Sequence, residues 1–388
     1  MEKIAPVVFP SPAVPPKEEI IISKATTDKE KREIYRLRYQ IYAEEIAFKL
    51  AAADHANKFL QDELDEKAML FYAKVGSKII GTGRINIGKL SDFPPDLVET
   101  YRMDRFRKFY DKKVDPYFAV ISKGMVVPQY RSSPAFYLLM AEGYKLCCDY
   151  QIQFSFVNCN FHLIPLHEHY GSRRIDKNII DPNIGPMASL VMLVDDVQHL
   201  QTVRSPFFRI ARKRTSLKQE VVNWFNSEFA CEIRTTVNSQ LIAVDELWSI
   251  ICHYLGDMPH HIIPILEELS ILEAKLFLHC CGSIVHCHTG DFITAGGNAS
   301  QELNVLLSGK VEKVESYSAE RISLGQHFGE SGLVKRTIHS SSYIAIDDSD
   351  ILVLSFHYFS NFRKRHPNIA RKILNNLHKQ NYSLYVIG

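Results

Sequence analysis

The sequence predicts two different folds in one chain. An α/β domain, a mixed sheet with flanking helices, is followed by a helical connector and an all-β β-roll with flanking helices. Three observations lead there. Between residues 27 and 194 the hydrophobic pattern runs helix, hairpin, strand, helix, strand, helix, strand. From residue 276 the texture changes to short apolar runs divided by Gly and Asp turns. Finally, Gly290-Asp291, Ser308-Gly309-Lys310-Val311 and Phe328-Gly329-Glu330 mark successive strand exits, where glycine relieves the backbone.

Taken in order, residues 1–24 form an extended arm. Pro6, Pro10, Pro12, Pro15 and Pro16 interrupt its apolar stretch, which argues against a signal peptide. Residues 25–204 hold the α/β domain. Thr27 caps a helix over 27–50, in which Ile34, Leu37, Arg38, Ile41, Tyr42 and Glu45 share helical spacing. Residues 69–75 and 79–87 are strands joined at Gly76-Ser77. The charged segment 91–115, broken by Pro94 and Pro95, is a helical excursion. Strand 118–127, helix 134–150, strand 154–159, helix 163–170 and strand 191–194 complete the domain. Residues 205–264 are the helical connector, with Trp224 and Trp248 at apolar positions. Residues 265–388 carry the β-roll and end in a helix over 359–384.

Composition excludes several classes. With 46% hydrophobic and 23% charged residues, the chain has enough apolar side chains for packed cores. A net charge of +2 gives no field that would gather nucleic acid. No apolar run is long enough to span a bilayer, and a cytoplasmic protein is expected. Eight cysteines without a CxxC pair are expected as reduced thiols. His279, Cys280, Cys281, His286, Cys287 and His288 mix metal-ligand types, but strand alternation turns Cys287 away from His286 and His288. No metal is expected.

Four features of the first domain carry chemistry. Arg38 and Tyr42 sit on the first helix, ahead of Glu44-Glu45. Asp62 and Asp65 stand three apart before a strand, and Arg84 lies in Gly81-Thr82-Gly83-Arg84. Val127-Pro128-Gln129-Tyr130-Arg131-Ser132-Ser133 ends a strand and opens a helix. Unpaired N–H groups and a helix dipole at such a junction suit a phosphate. Together these features resemble the N-acyl amino acid synthases and the acyl-homoserine lactone synthases, acyltransferases of the GNAT fold. The resemblance implies an acyl-phosphopantetheine donor, carried by acyl carrier protein or coenzyme A, bound at Val127, Gln129, Arg131, Ser132 and Ser133. The donor loop lacks the glycines that usually wrap the coenzyme A pyrophosphate, which favours the carrier protein. Arg38, Asp62, Asp65 and Arg84 are expected on the amine-substrate side.

Two positions depart from the pattern. Where the lactone synthases carry glutamate and then Ser-Arg, this chain has Val120, Ser122 and Lys123. His167 takes the place of the tyrosine that serves many members as general acid, so His167 and Ser122 are the catalytic candidates. A backbone N–H on the strand 121–127, freed by a bulge, is expected to polarise the thioester carbonyl. Phe71, Phe118, Tyr137, Leu138, Phe154 and Phe156 are candidates for an acyl groove, though residues at these spacings are more often plain core.

The glycine elements of the C-terminal part resemble the cyclic-nucleotide-binding domains. Phe328, Gly329 and Glu330 then open a phosphate-binding cassette, with His339 in the position of the cassette arginine and Ser340 beside it. An imidazole lacks the arginine's two-pronged fork. The pocket is either re-tuned for cAMP or cGMP or kept as a scaffold or homodimer surface. The expected activity is N-acylation of an amino acid or similar small amine. Two alternatives stay open: a cyclic-nucleotide-regulated protein lysine acetyltransferase using acetyl-CoA, and a non-catalytic acyl-ligand sensor.

Overall fold

Thr27 opens the first helix through a reciprocal cap. Its hydroxyl accepts from Glu30 N at 3.3 Å, and the Glu30 carboxylate accepts from Thr27 N at 2.9 Å. The computed structural model describes residues 19–48, 50–175, 177–314, 320–329 and 332–385. In it α1 runs over Asp28–Tyr39, and the chain then widens into a π-helical turn, Gln40–Glu45. The expected single helix to residue 50 therefore ends at Glu45, and the wide turn re-aims Tyr42 and Glu45.

The first domain is built on strands β1 (Ile20–Lys24), β2 (Met69–Val75), β3 (Lys78–Lys89), β4 (Tyr117–Val126), β5 (Phe154–Cys159), β6 (Arg173–Arg174) and β7 (Gly185–Leu193). They lie in the order β1-β2-β3-β4-β5-β7-β6, with Ile179–Asp181 also pairing to β7. Only β4 and β5 are parallel neighbours; the other pairs on this path are antiparallel. Residues 20–24, assigned to the arm from the sequence, are thus an edge strand. The rest of the arm, residues 1–18, lies outside the described residues.

Strand alternation gives the sheet two unlike faces. Helix α2 (Ala135–Asp149) covers one so closely that a Cβ on Gly81 would lie 3.1 Å from Leu139, and one on Gly83 3.2 Å from Met140. Ile34 and Tyr35 of α1 pack on Leu70 and Tyr72 of the other. Leu70 pairs with Arg84 and Arg84 with Ser122, so both polar residues share the α1 face. Phe118, Phe154 and Phe156 also lie on it, in an aromatic core with Phe106, Phe225 and Phe229. They are core rather than groove.

The connector divides between the two parts. Its helix α4, Glu220–Glu228, joins that aromatic core, whereas α5, Val244–Leu255, packs with the helices of the C-terminal part. Beyond it the roll consists of two antiparallel four-stranded sheets. One orders Gly282–Cys287, Ser349–Ser355, Glu302–Ser308 and His327–Phe328; the other orders Phe292–Thr294, Ser342–Ala345, Val311–Val314 and Glu320–Arg321. Gly309 (φ +83°) is required at its turn, because a Cβ there would lie 2.3 Å from the Asp348 carbonyl oxygen. The expected terminal helix splits into Phe356–Arg365 and Pro367–Tyr385, since proline disfavours helical backbone at His366.

The two parts share apolar core. Cys159, Phe161, Ile164, Ala188 and Leu190 of the first domain cluster with Val285, Cys287, Leu306, Phe328 and Val353 of the roll. Among the described residues no helix is long and apolar enough to cross a membrane, and no group of three or more His, Cys, Asp or Glu side chains is arranged to hold a metal ion.

Candidate active site

The centre of the first domain is a defect in its sheet. Thr82 pairs with Met125 and Arg84 with Ser122, so Lys123 and Gly124 together oppose the single residue Gly83. This is a β-bulge, which leaves a residue outside the ladder. Lys123 is forced to φ +54°, a conformation that disfavours side chains and marks stored strain. The bulge lies where the sequence predicted one. Next to it the parallel strands part: β4 and β5 pair at Ala119 with Ser155 and at Val120 with Phe156, and the register goes no further.

On the α1 face the bulge meets a buried ionic network. Arg38, fully buried, donates through Nη1 to both carboxylate oxygens of Asp65, at 2.8 and 2.9 Å. Arg84 donates through Nε to Ser122 Oγ at 2.9 Å and pairs through Nη1 with Asp62 and, at 3.2 Å, with Asp65. Lys123 Nζ stands 3.4 Å from Asp62 and 5.4 Å from the Tyr42 ring centroid. Burial depresses the pKa of Lys123, with Asp62 opposing the shift. Burial would raise the Asp62 carboxyl, but Arg84 and Lys123 hold it below its ordinary value.

The structure therefore brings together Arg38, Asp62, Asp65 and Arg84, as expected, and adds Lys123. The Ser122 hydroxyl, expected as a catalytic candidate, accepts from Arg84 and so belongs to this network. Arg38 is sealed beneath Asp65, so it positions that carboxylate. Its Nε and Nη2 find no hydrogen-bond partner among the described residues.

The opposite face holds a narrow apolar cleft of about 30 Å³, lined by Ile121, Phe136, Met140, Val157, Met192 and Phe207, with His167 and Tyr170 at its side. Phe136 and Met140, not Tyr137 or Leu138, are the α2 residues that reach it. His167 lies on α3 (Ile164–Tyr170) and is half-buried. Desolvation lowers its pKa to about 4, so it is neutral at physiological pH. A neutral imidazole can take up the amine proton and relay it toward a departing thiolate.

The junction from β4 to α2 places Arg131 by its Nε, which donates to Val126 O at 3.0 Å. Val127 N ties the loop back to Ile80 O at 2.9 Å. The Ser133 hydroxyl accepts from Ala135 N at 3.2 Å and donates to Tyr130 O at 2.6 Å. Gln129 and Ser132 are exposed. Arg131 does not face an open seat: its Nη1 and Nη2 donate to the two oxygens of Glu45 at 2.7 and 2.6 Å. Arg336 of the roll donates through Nη1 to the same carboxylate. Burial would raise the Glu45 pKa, but the hydrogen bonds from Arg131 and Arg336 hold it below its ordinary value. Sequence reasoning missed this partnership because it joins residues 291 apart.

In the roll, Phe328 is buried against Tyr343, with ring centroids 5.1 Å apart. Gly329 has φ +73°, and a Cβ there would sit 3.3 Å from the His339 ring. Glu330 lies outside the described residues, and Ser340 is exposed. His339, 3% exposed, has Nε2 at 3.4 Å from Glu302 Oε1, and His162 of the first domain has Nδ1 at 3.0 Å from Glu302 Oε2. A carboxylate of the roll thus stands between two imidazoles, one from each domain.

Residues 37–141 match the family described as acetyltransferase (GNAT) domain. No curated protein sequence matches the chain significantly. Among solved structures, this chain is similar to FeeM, an N-acyl amino acid synthase from uncultured soil microbes. The identity is 12%, the match covers 50% of this chain and 99% of FeeM, and the TM-score is 0.39. It is similar to BjaI, a CoA-dependent acyl-homoserine lactone synthase, at 18% identity, 54% and 100% coverage and a TM-score of 0.38. It is also similar to a cyclic nucleotide-binding domain from Methylobacillus flagellatus, at 17% identity, 37% and 80% coverage and a TM-score of 0.31. Residues 37–141 thus match a GNAT-type domain, and an antiparallel β-roll follows it in the same chain.

Proposed function

We propose that the first domain moves a fatty acyl group from the phosphopantetheine thioester of acyl carrier protein to the amine of an amino acid or similar small amine. The observation that carries this is the bulge at Lys123 and Gly124 beside the parting of β4 and β5, with an apolar cleft on one face and an ionic network on the other. At about 30 Å³ the cleft admits little more than a water molecule, so a thioester entering the parted strands would have to spread Ile121, Met140 and Met192 to lay its chain against them. An N–H freed by the bulge would polarise its carbonyl. The acceptor would approach from Asp62 and Lys123, with Arg38 holding Asp65 in place beneath them. The neutral amine nitrogen bonds to the carbonyl carbon, the C–S bond breaks, and the amine proton leaves while the thiolate is protonated. Holding both reactants in line supplies much of the acceleration, and no covalent enzyme intermediate is required.

Arg131, at a loop without glycine, supports a single phosphate on a carrier-protein arm. We propose that the roll acts structurally, as a partner to the first domain and a dimer surface, rather than as a cAMP or cGMP receptor. The support is that His339 is turned onto Glu302 at the seam between the domains.

The experiment is mass spectrometry of lipid extracts from a host expressing the chain and a compatible carrier protein, against the same host with Arg131→Ala. New N-acyl amino acids present only with the unaltered chain are expected. If no new amphiphile forms, the synthase proposal falls and a non-catalytic acyl-ligand sensor takes its place.

A further inference from the structure

We propose that Arg336 of the roll is the second arginine of the acyl-donor phosphate site, and that Glu45 fills this site when no donor is bound. The inference rests on the proposed phosphopantetheine donor. Arg131 reaches Glu45 from the β4–α2 junction with two nitrogens, and Arg336 reaches it from the roll with a third. Arg336 is aimed by a second hydrogen bond, from Nε to Gln301 Oε1 at 3.0 Å. Two guanidinium groups converging on one anion is the arrangement that holds a phosphate, because each planar fork matches a pair of oxygens. Glu45 supplies that oxygen pair from inside the protein.

The exchange is accessible. The side chains of Glu45, Arg131 and Arg336 keep 22%, 33% and 26% of their exposure, so a phosphate can reach the arginines without unfolding the seam. Glu45 is the last residue of the π-helical turn, a widened backbone of the kind found at functional sites. On a carrier protein this phosphate is esterified on both sides, and in coenzyme A it is joined to a second phosphate. In either it bears a single charge, so it competes with the carboxylate by its fit to the two guanidinium forks and not by greater charge. The site would thus be assembled from both domains, and the ligand is the phosphate ester of a phosphopantetheine arm. Carrier protein and coenzyme A share that group.

The full chain is titrated calorimetrically with 4′-phosphopantetheine, pantetheine lacking the phosphate, coenzyme A and holo acyl carrier protein. Arg336→Gln is expected to weaken 4′-phosphopantetheine about tenfold, the scale of one charge-assisted contact, and to leave pantetheine unchanged. Arg336→Lys should recover part of that loss. Glu45→Gln should tighten 4′-phosphopantetheine, because the competing anion is removed, and again leave pantetheine unchanged. The proposal is overturned if Arg336→Gln leaves phosphopantetheine binding intact or weakens pantetheine equally. If Arg131→Gln abolishes phosphopantetheine binding and Arg336→Gln does not alter it, only the second arginine is refuted. If neither variant matters, or the unaltered chain binds no probe, the donor proposal falls as well. Arg336 dependence with holo carrier protein alone, or with coenzyme A alone, identifies the source of the arm. Dependence with both assigns Arg336 to the shared phosphate.

Discussion

Nδ1 of His162 lies 3.0 Å from Oε2 of Glu302, across the seam between the acyltransferase domain and the roll. Burial would push the Glu302 carboxyl up, but hydrogen bonds from His162 and His339 outweigh it and bring the pKa from 4.5 down to about 2. A depressed carboxyl stabilises the folded state above its unfolded pKa, and that contribution is lost as pH falls from about 4.5 through about 2. Glu302→Gln should therefore lower the melting temperature at neutral pH and flatten the acid side of the stability curve. Calorimetry on both proteins between neutral and acid pH checks this; parallel curves would refute it.

A second prediction concerns Arg38, fully buried on Asp65. Removing one partner strands a charge in the interior, so Arg38→Met should cost about 3–5 kcal/mol. Adding Asp65→Leu should return only part of that loss, because Asp65 also pairs with Arg84 at 3.2 Å. Urea denaturation of both single variants and the double variant gives the coupling energy. Simple additivity would show that the pair is not a unit.

His167 yields a prediction about rate against pH. With a pKa near 4 it stays neutral across the physiological range. His167→Gln should lower kcat while keeping the shape of the profile between about pH 6 and 8, since no titration of this imidazole falls there. An inflection near the ordinary histidine pKa, present in the unaltered enzyme and missing in the variant, would restore His167 as a titrating acid.

Gly124 controls the width of the cleft. A Cβ there would lie 3.1 Å from Met140 Cε and 3.3 Å from Phe136 Cε2, so Gly124→Ala crowds two lining side chains. Turnover of long acyl chains should fall several-fold, while short chains are spared. Competition between long and short acyl donors measures the ratio, and equal losses would place the acyl chain elsewhere.

Much of the fold was legible because its determinants are local. Thr27 and Glu30 cap a helix three residues apart, and period-two patterning marks Met69–Val75 and its neighbours. The ionic network was legible in part, since Asp62, Asp65 and Arg84 are fixed to adjoining elements. Other features hinge on long-range partners. Nothing near Glu45 announces Arg131 or Arg336, and nothing near His339 announces Glu302. Lys123 was visible as a substitution, but its strained backbone and its contact with Asp62 come from the bulge. Phe118, Phe154 and Phe156 are core, the commoner reading at their spacing, and alternation alone does not show which face holds the cleft.

The apolar cluster that runs from Phe161 and Leu190 into Leu306 and Val353 makes the seam a place where neither half is complete. Cutting the chain between the domains would leave each piece with a greasy scar in water. Such fragments would favour clumping over solubility. The border drawn in the sequence therefore divides two patterns of chain, while the buried surface they share ties the stability of each to the other.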